Sequence, residues 1–254
     1  MGKARCLPGT IDVMTPTHAA PKRPSTLPRL FTLPNLIRRL AACILLVPLA
    51  SCDLVRPFEQ VCDARLAPTS IRVEVEPVRF DTDYSQSSSQ LTARGAHAAG
   101  RVVLGLTETR LKSAISFAGN GVVKPVTGRY CMRPSVTIKL AFDPMVLHVA
   151  REQPEGSCEH RITLDHERRH MGVYARYLDE LAARVERDLK EKFGQRILYF
   201  PNTRAAETEM QALTASTLKP YIESGMAEVQ QLQKAVDSPE EYARMDSMQA
   251  RCGG

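Results

Sequence analysis

From Ile71 to about Ile162 the apolar residues tend to fall on alternate positions. In IRVEVEPVRF, Ile71, Val73 and Val75 alternate with charged neighbours, the period-two mark of a half-buried strand. RLKSAISF sets Leu111, Ile115 and Phe117 on one face and Arg110, Lys112 and Ser116 on the other. GNG marks a turn, and SVTIKLAF then alternates again. MVLHVAR follows across Asp143-Pro144, which predicts a hairpin, with MVLHVAREQP as the edge strand because it runs into Pro154 and a Gly-containing loop. His148 lies between Leu147 and Val149, so it is expected on the other face, toward solvent. The polar, Ser-rich DTDYSQSSSQLTARGA reads as a loop, and His97 just after it as solvent-facing.

Beyond Thr163 the period changes. Met171, Tyr174, Leu178, Leu181, Val185 and Leu189 recur every three or four residues, predicting a helix over 163–193 with Gly194 as its C-cap. CEHRITL before it reads as a strand or loop feeding the helix. Asn202 or Thr203 caps a second helix running to about Val236 and kinked at Pro220. Ser238-Pro239-Glu240-Glu241 combines an N-cap, an N1 proline and a capping-box acid, a strong start for a short last helix. The predicted fold is α+β: a twisted antiparallel sheet followed by a long helical hairpin and a short C-terminal helix, in one domain spanning 71–252.

Charge changes the picture only at the start of the chain. Residues 1–51 hold seven Lys/Arg against the single Asp12, which is the whole of the +6 net charge; 27 basic and 27 acidic residues remain in 52–254. The basic balance therefore belongs to the leader, and a nucleic-acid role loses its support. The leader ends in LIRRLAACILLVPLASCD: a positive pair, Arg38-Arg39, then an apolar core shorter than the ~20 residues a span requires. LASC resembles a lipobox, so Cys52 is expected to be lipidated and to become the mature N-terminus, with 52–70 as a tether facing the periplasm. The segment ahead of Arg38 is Pro-rich and aperiodic, and reads as disordered or as an over-extended start, with the chain beginning near Met14. Cys6 and Cys43 would leave with the leader, and Cys62, Cys131, Cys158 and Cys252 would remain for two disulfides in an oxidising compartment. Cys131–Cys158, bracketing the hairpin, and Cys62–Cys252, tying the ends, are the favoured pairs of three possible connectivities.

The candidate chemistry is His166-Glu167-Arg168-Arg169-His170. Histidines four apart share a helix face about 6 Å apart, so His166 and His170 can reach one zinc ion together, while Glu167 flanks it as a candidate general base toward water. Arg168 and Arg169 are tolerable only if they point to solvent or to acidic neighbours. No histidine follows His170, so a third ligand must come from elsewhere. A straight antiparallel helix starting near Arg204 returns to the level of His170 after about 23 residues. That favours Glu228 as the third ligand, with Gln230 and Gln231 nearby, and puts Glu207 and Glu209 at the opposite end. Tyr174, Glu159 and His160 are close enough in sequence to contribute.

The succession of RYC, the stretch VLHVAREQPEGSC, the HERRH helix and the late DSPEEYARM…C resembles an uncharacterised bacterial family of exported, predicted zinc-dependent proteases, across Val73 to Cys252. The resemblance implies a zincin-like metallohydrolase with His166 and His170 as zinc ligands and Glu167 as base; it supplies no substrate, and the two arginines depart from the usual zincin helix. The expectation is a membrane-anchored, exported zinc peptidase acting on a peptide or protein in the envelope. The alternatives are a non-catalytic envelope lipoprotein that binds a protein or cell-wall component, and a metal-carrying protein without hydrolysis.

Overall fold

The structure is a computed structural model that describes residues 5–13 (backbone only), 56–94, 101–119 and 121–253. The side chain of Cys6, and Cys43, the lipobox with Cys52 and His97 altogether, lie outside what is described. Along the chain come β1 (Arg5–Val13), α1 (Phe58–Arg65), β2 (Ser70–Val75), β3 (Asp81–Asp83), α2 (Ser88–Arg94), β4 (Gly105–Phe117), β5 (Val122–Val123), β6 (Tyr130–Met132) and β7 (Ser135–Val149). They are followed by α3 (Cys158–Phe193), β8 (Leu198–Phe200), α4 (Thr203–Val236) and α5 (Pro239–Gln249).

The main sheet has the order β1-β4-β7-β2, with β3 also pairing β7. Only β4 and β7 run antiparallel; β1 on β4, and β2 and β3 on β7, are parallel, so the sheet is mixed and mainly parallel rather than antiparallel as expected. The hairpin expected at Asp143-Pro144 does not form. β7 is a single strand of 15 residues at the centre of the sheet, not a pair of strands with an outer edge.

A bulge explains the difference. Buried residues fall on even positions up to Val136, Ile138, Leu140 and Phe142, then on odd positions at Met145, Leu147 and Val149. The pairing with β4 steps from Leu111↔Phe142 to Thr109↔Met145, so β7 carries one extra residue there and both halves keep the same inner face. On the other side β2 pairs as far as Leu140 and β3 begins at Val146. Pro144, which has no N–H, thus sits where no neighbouring strand requires one. Read along the sequence, the break in parity looks like a turn.

β1 lies outside β4, formed by residues that the sequence places in the leader. A smaller sheet, β5-β6-β8, packs beside α1. Here Cys62 of α1 is joined to Cys131 of β6 among Phe58 and Leu66, so the stretch expected as a tether contains a packed helix. The second disulfide, Cys158–Cys252, ties the start of α3 to the end of the described chain. The four expected cysteines are therefore bonded, but as Cys62–Cys131 and Cys158–Cys252 rather than in the favoured pairing. Cys131 lies in the small sheet, away from the start of α3, and α5 returns Cys252 to Cys158.

α3 and α4 pack on the sheet face lined by Leu111, Ile115, Ile138 and Leu140. α3 starts earlier than expected: Ser157 Oγ accepts from the His160 N–H at 3.1 Å, and CEHRITL forms the opening turns of the helix. Its buried stripe changes character along its length. Thr163, His166, Glu167 and His170 come first, then Val173, Tyr174, Leu178, Leu181, Val185 and Leu189. The polar head of a core-facing stripe is where the site lies. Gly194 ends the helix at φ 56°, a left-handed conformation that favours glycine.

α4 runs back along α3, capped by Asn202 as expected. Lys192, near the end of α3, reaches Thr217 rather than the start of α4, so the first turns of α4 run past the end of α3. That overhang delays the return of α4 to the level of His170. On the opposite face of the sheet His148 is buried, not solvent-facing: its ring nitrogens meet Asp83 Oδ2 at 2.9 Å and Glu108 Oε2 at 3.3 Å. Gln86 and the α2 residue Leu91, which packs on Leu106 beside His148, cover that face, so the alternation gives the side of the sheet correctly but not its exposure.

Candidate metal centre

His166, Glu167 and His170 are fully buried, and one ligating atom from each can be chosen within 4.8 Å of the others. Helical spacing brings the two Nε2 atoms to 3.2 Å. A third group faces them. Asp237, the C-cap residue of α4, places Oδ1 3.4 Å from His166 Nε2 and 3.3 Å from His170 Nε2. Tyr242 of α5 donates its hydroxyl to the same Oδ1 at 2.8 Å.

Outer partners orient the rings. Gln233 Nε2 donates to the His170 carbonyl at 3.1 Å, which fixes the amide so that Oε1 faces His170 Nδ1 at 2.7 Å. Nδ1 must then carry a proton, which in the neutral ring leaves a lone pair on Nε2 directed toward His166 and Asp237. His166 Nδ1 is buried without a hydrogen-bond partner; Glu241 Oε1 is 3.7 Å away, too far for one. Glu167 is gripped by β4: Thr107 Oγ1 donates to Oε2 at 2.8 Å, while Oε1 is buried and unpaired. A Cβ on Gly105 would lie 2.6 Å from that oxygen, so only glycine leaves it room.

In the metal-free protein the same contacts shift the charges of the groups that make them. Burial pushes the Asp237 carboxyl up, but with no metal between them its contacts with His166 and His170, when those rings carry the shared proton, outweigh it and hold it at about 2. For His170, burial works against the charged form, yet Asp237 and Glu167 more than compensate and raise it. Burial, and then the Asp237 charge, drive the Tyr242 phenol well above its usual range. Glu241 is held at about 2, chiefly by Arg244, with Arg169 adding to it.

The arginines of HERRH stay out of the centre. Arg168 is exposed, and Arg169 bridges Asp165 and Glu241. The other candidates sit elsewhere. Glu228 bonds Arg184, Tyr177 and Ser224; it is five residues short of Gln233, the α4 residue that reaches His170. His160 is tied to Gly156 and Tyr84, Glu159 stands in the first turn of α3, and Tyr174 packs edge-on against Phe142. Asp237, Gln233, Glu241 and Tyr242 were not singled out for this centre by sequence. The one available signal was the DSPEE cap itself, because a helix junction at 237–238 halts the chain where α4 meets the HExxH helix.

No family of known proteins, no curated protein and no solved structure matches the chain. What stands is an α+β fold with a buried His-Glu-His group that could bind a metal. Two disulfides point to an oxidising, extracytoplasmic location, and no helix among the described residues is long and apolar enough to cross a membrane.

Proposed function

We propose that the protein is an exported zinc-dependent peptidase, lipid-anchored through Cys52 and acting on peptide or protein in the cell envelope. The observation that carries the reading is the pairing of roles on one helix turn. His166 and His170 turn their Nε2 atoms toward a common point, while Glu167, bound through one oxygen, keeps the other buried and unpaired. An unpaired carboxylate oxygen in such a place is costly unless it has a proton to take. Zinc held by the histidines would supply Lewis acidity toward water and a carbonyl. Glu167 Oε1 would accept the proton of an attacking water and return it to the leaving amine; Thr107 and Gly105 keep it aimed.

The test uses the full chain, exported and loaded with zinc, against a library of unstructured peptides, beside Glu167→Gln. Hydrolysis by the wild type, with kcat/KM reduced at least about 100-fold in Glu167→Gln at equal zinc content, supports the reading. Equal turnover by both refutes the role of Glu167. The burial of all three motif residues favours a second reading, a metal that braces α3 against α5 without hydrolysis. That reading gains if the wild type holds zinc, cleaves nothing, and melts lower once the zinc is removed.

A further inference from the structure

We infer that Asp237 is the third metal ligand and completes a His166–His170–Asp237 tripod. The inference rests on the proposal that the two histidines hold a metal, and it deepens that reading by naming the group that closes the site.

The triangle of ligating atoms carries it. Its sides are 3.2 Å between the two Nε2 atoms and 3.4 and 3.3 Å from these to Asp237 Oδ1. A tetrahedral zinc ion held at about 2.0–2.1 Å sets its ligands about 3.3–3.4 Å apart, so the triangle matches one face of that tetrahedron with no rearrangement.

Chemistry agrees with distance. His170 presents a lone pair, by the tautomer that Gln233 fixes, to a carboxylate oxygen. Two acceptors at 3.3 Å in a buried site call for a cation or a proton between them. Outer partners of the kind that metal-bound histidines and carboxylates ordinarily have are present too: Gln233 on His170 and Tyr242 on Asp237. Glu167 fits the role less well, since Thr107 and Gly105 hold its carboxylate against β4 and its group with the histidines spreads to as much as 4.8 Å. The competing account is a shared proton, with an imidazolium paired to Asp237 and no metal at all.

The experiment loads the metal-free full chain with Co²⁺ or Zn²⁺ and compares wild type, Asp237→Ala, Asp237→Cys and Tyr242→Phe, with far-ultraviolet circular dichroism confirming that each is folded. Wild type should bind one ion per chain. Asp237→Ala should weaken Zn²⁺ binding by more than about 100-fold, beyond the 10–100-fold expected for an outer partner such as Tyr242. Asp237→Cys should gain a sulfur-to-cobalt charge-transfer band that the wild type lacks, a signal that mere structural damage cannot produce. Wild-type affinity in Asp237→Ala, or a folded, cobalt-bound Asp237→Cys without that band, overturns the assignment while leaving the histidine site standing. No binding by the wild type overturns both.

Discussion

Thr107 and Glu167 are joined by a 2.8 Å hydrogen bond between β4 and α3, both partners buried. The sheet thereby reaches the middle of the HExxH motif, and one strand face holds the candidate base through Thr107 and makes room for it at Gly105. Thr107→Val removes the only hydrogen-bond donor to that buried carboxylate among the described residues. It should cost about 1.5–3 kcal/mol of stability in denaturant titration and lower hydrolysis, while zinc content stays at the wild-type level. Loss of zinc together with stability would mean that Thr107 supports the whole centre rather than Glu167.

Gly105→Ala tests the close approach. The added methyl would meet Glu167 Oε1 at 2.6 Å, Thr163 Cγ2 at 2.7 Å and Glu167 Cγ at 2.9 Å. All three atoms lie on α3, whose packing leaves little freedom to yield, so overpacking of about 1–3 kcal/mol is expected. A thermal midpoint equal to the wild type would show that α3 moves more easily than its burial suggests.

Gln233→Leu removes both the acceptor for His170 Nδ1 and the donor to its carbonyl, leaving the ring free to turn. Zinc affinity should fall 10–100-fold, measured by chelator competition. An unchanged affinity would mean that packing alone orients His170.

The Glu241 carboxyl, held at about 2 instead of 4.5 mainly by Arg244, gives the metal-free protein an acid dependence of defined sign. A depressed carboxyl contributes its full stability above about pH 4.5 and loses it as pH falls toward 2. Glu241→Gln should therefore flatten the stability curve across that window. Parallel curves for wild type and variant would refute the linkage.

Cys158–Cys252 closes a sequence separation of 94 residues. Replacing both cysteines with serine should cost about 2–4 kcal/mol. It should also weaken zinc binding, because α5, which carries Tyr242, would be held to α3 less firmly. Retained affinity in the variant would show that the packing of α5 suffices.

Much of this was legible in the sequence, and what was not has a common cause. Ser238, Asn202 and Gly194 announced their caps because capping is local chemistry. The periodicity of α3 placed both histidines and the core correctly. Strand direction in the sheet, the bulge at Pro144, the cysteine pairing and the reach of Asp237 all depend on what lies across the fold from a residue. Glu228 faces His170 only if the two helices start level. The overhang of α4 shifted the facing residue to Gln233, and the helix junction then delivered Asp237.

The centre draws on residues 63 to 71 positions apart: His166 and His170 near the start of α3, Gln233 and Asp237 where α4 ends. Such a site cannot exist early in folding, since α3 must be complete and α4 must have run out and returned before its members meet. Metal capture would then be a late event that reports a finished molecule. A chain cut after Val236 would keep the sheet and both long helices, yet would lack Asp237, Tyr242 and Cys252 together. An exporting cell that released such a fragment would release a scaffold with two histidines and no means of holding an ion firmly between them.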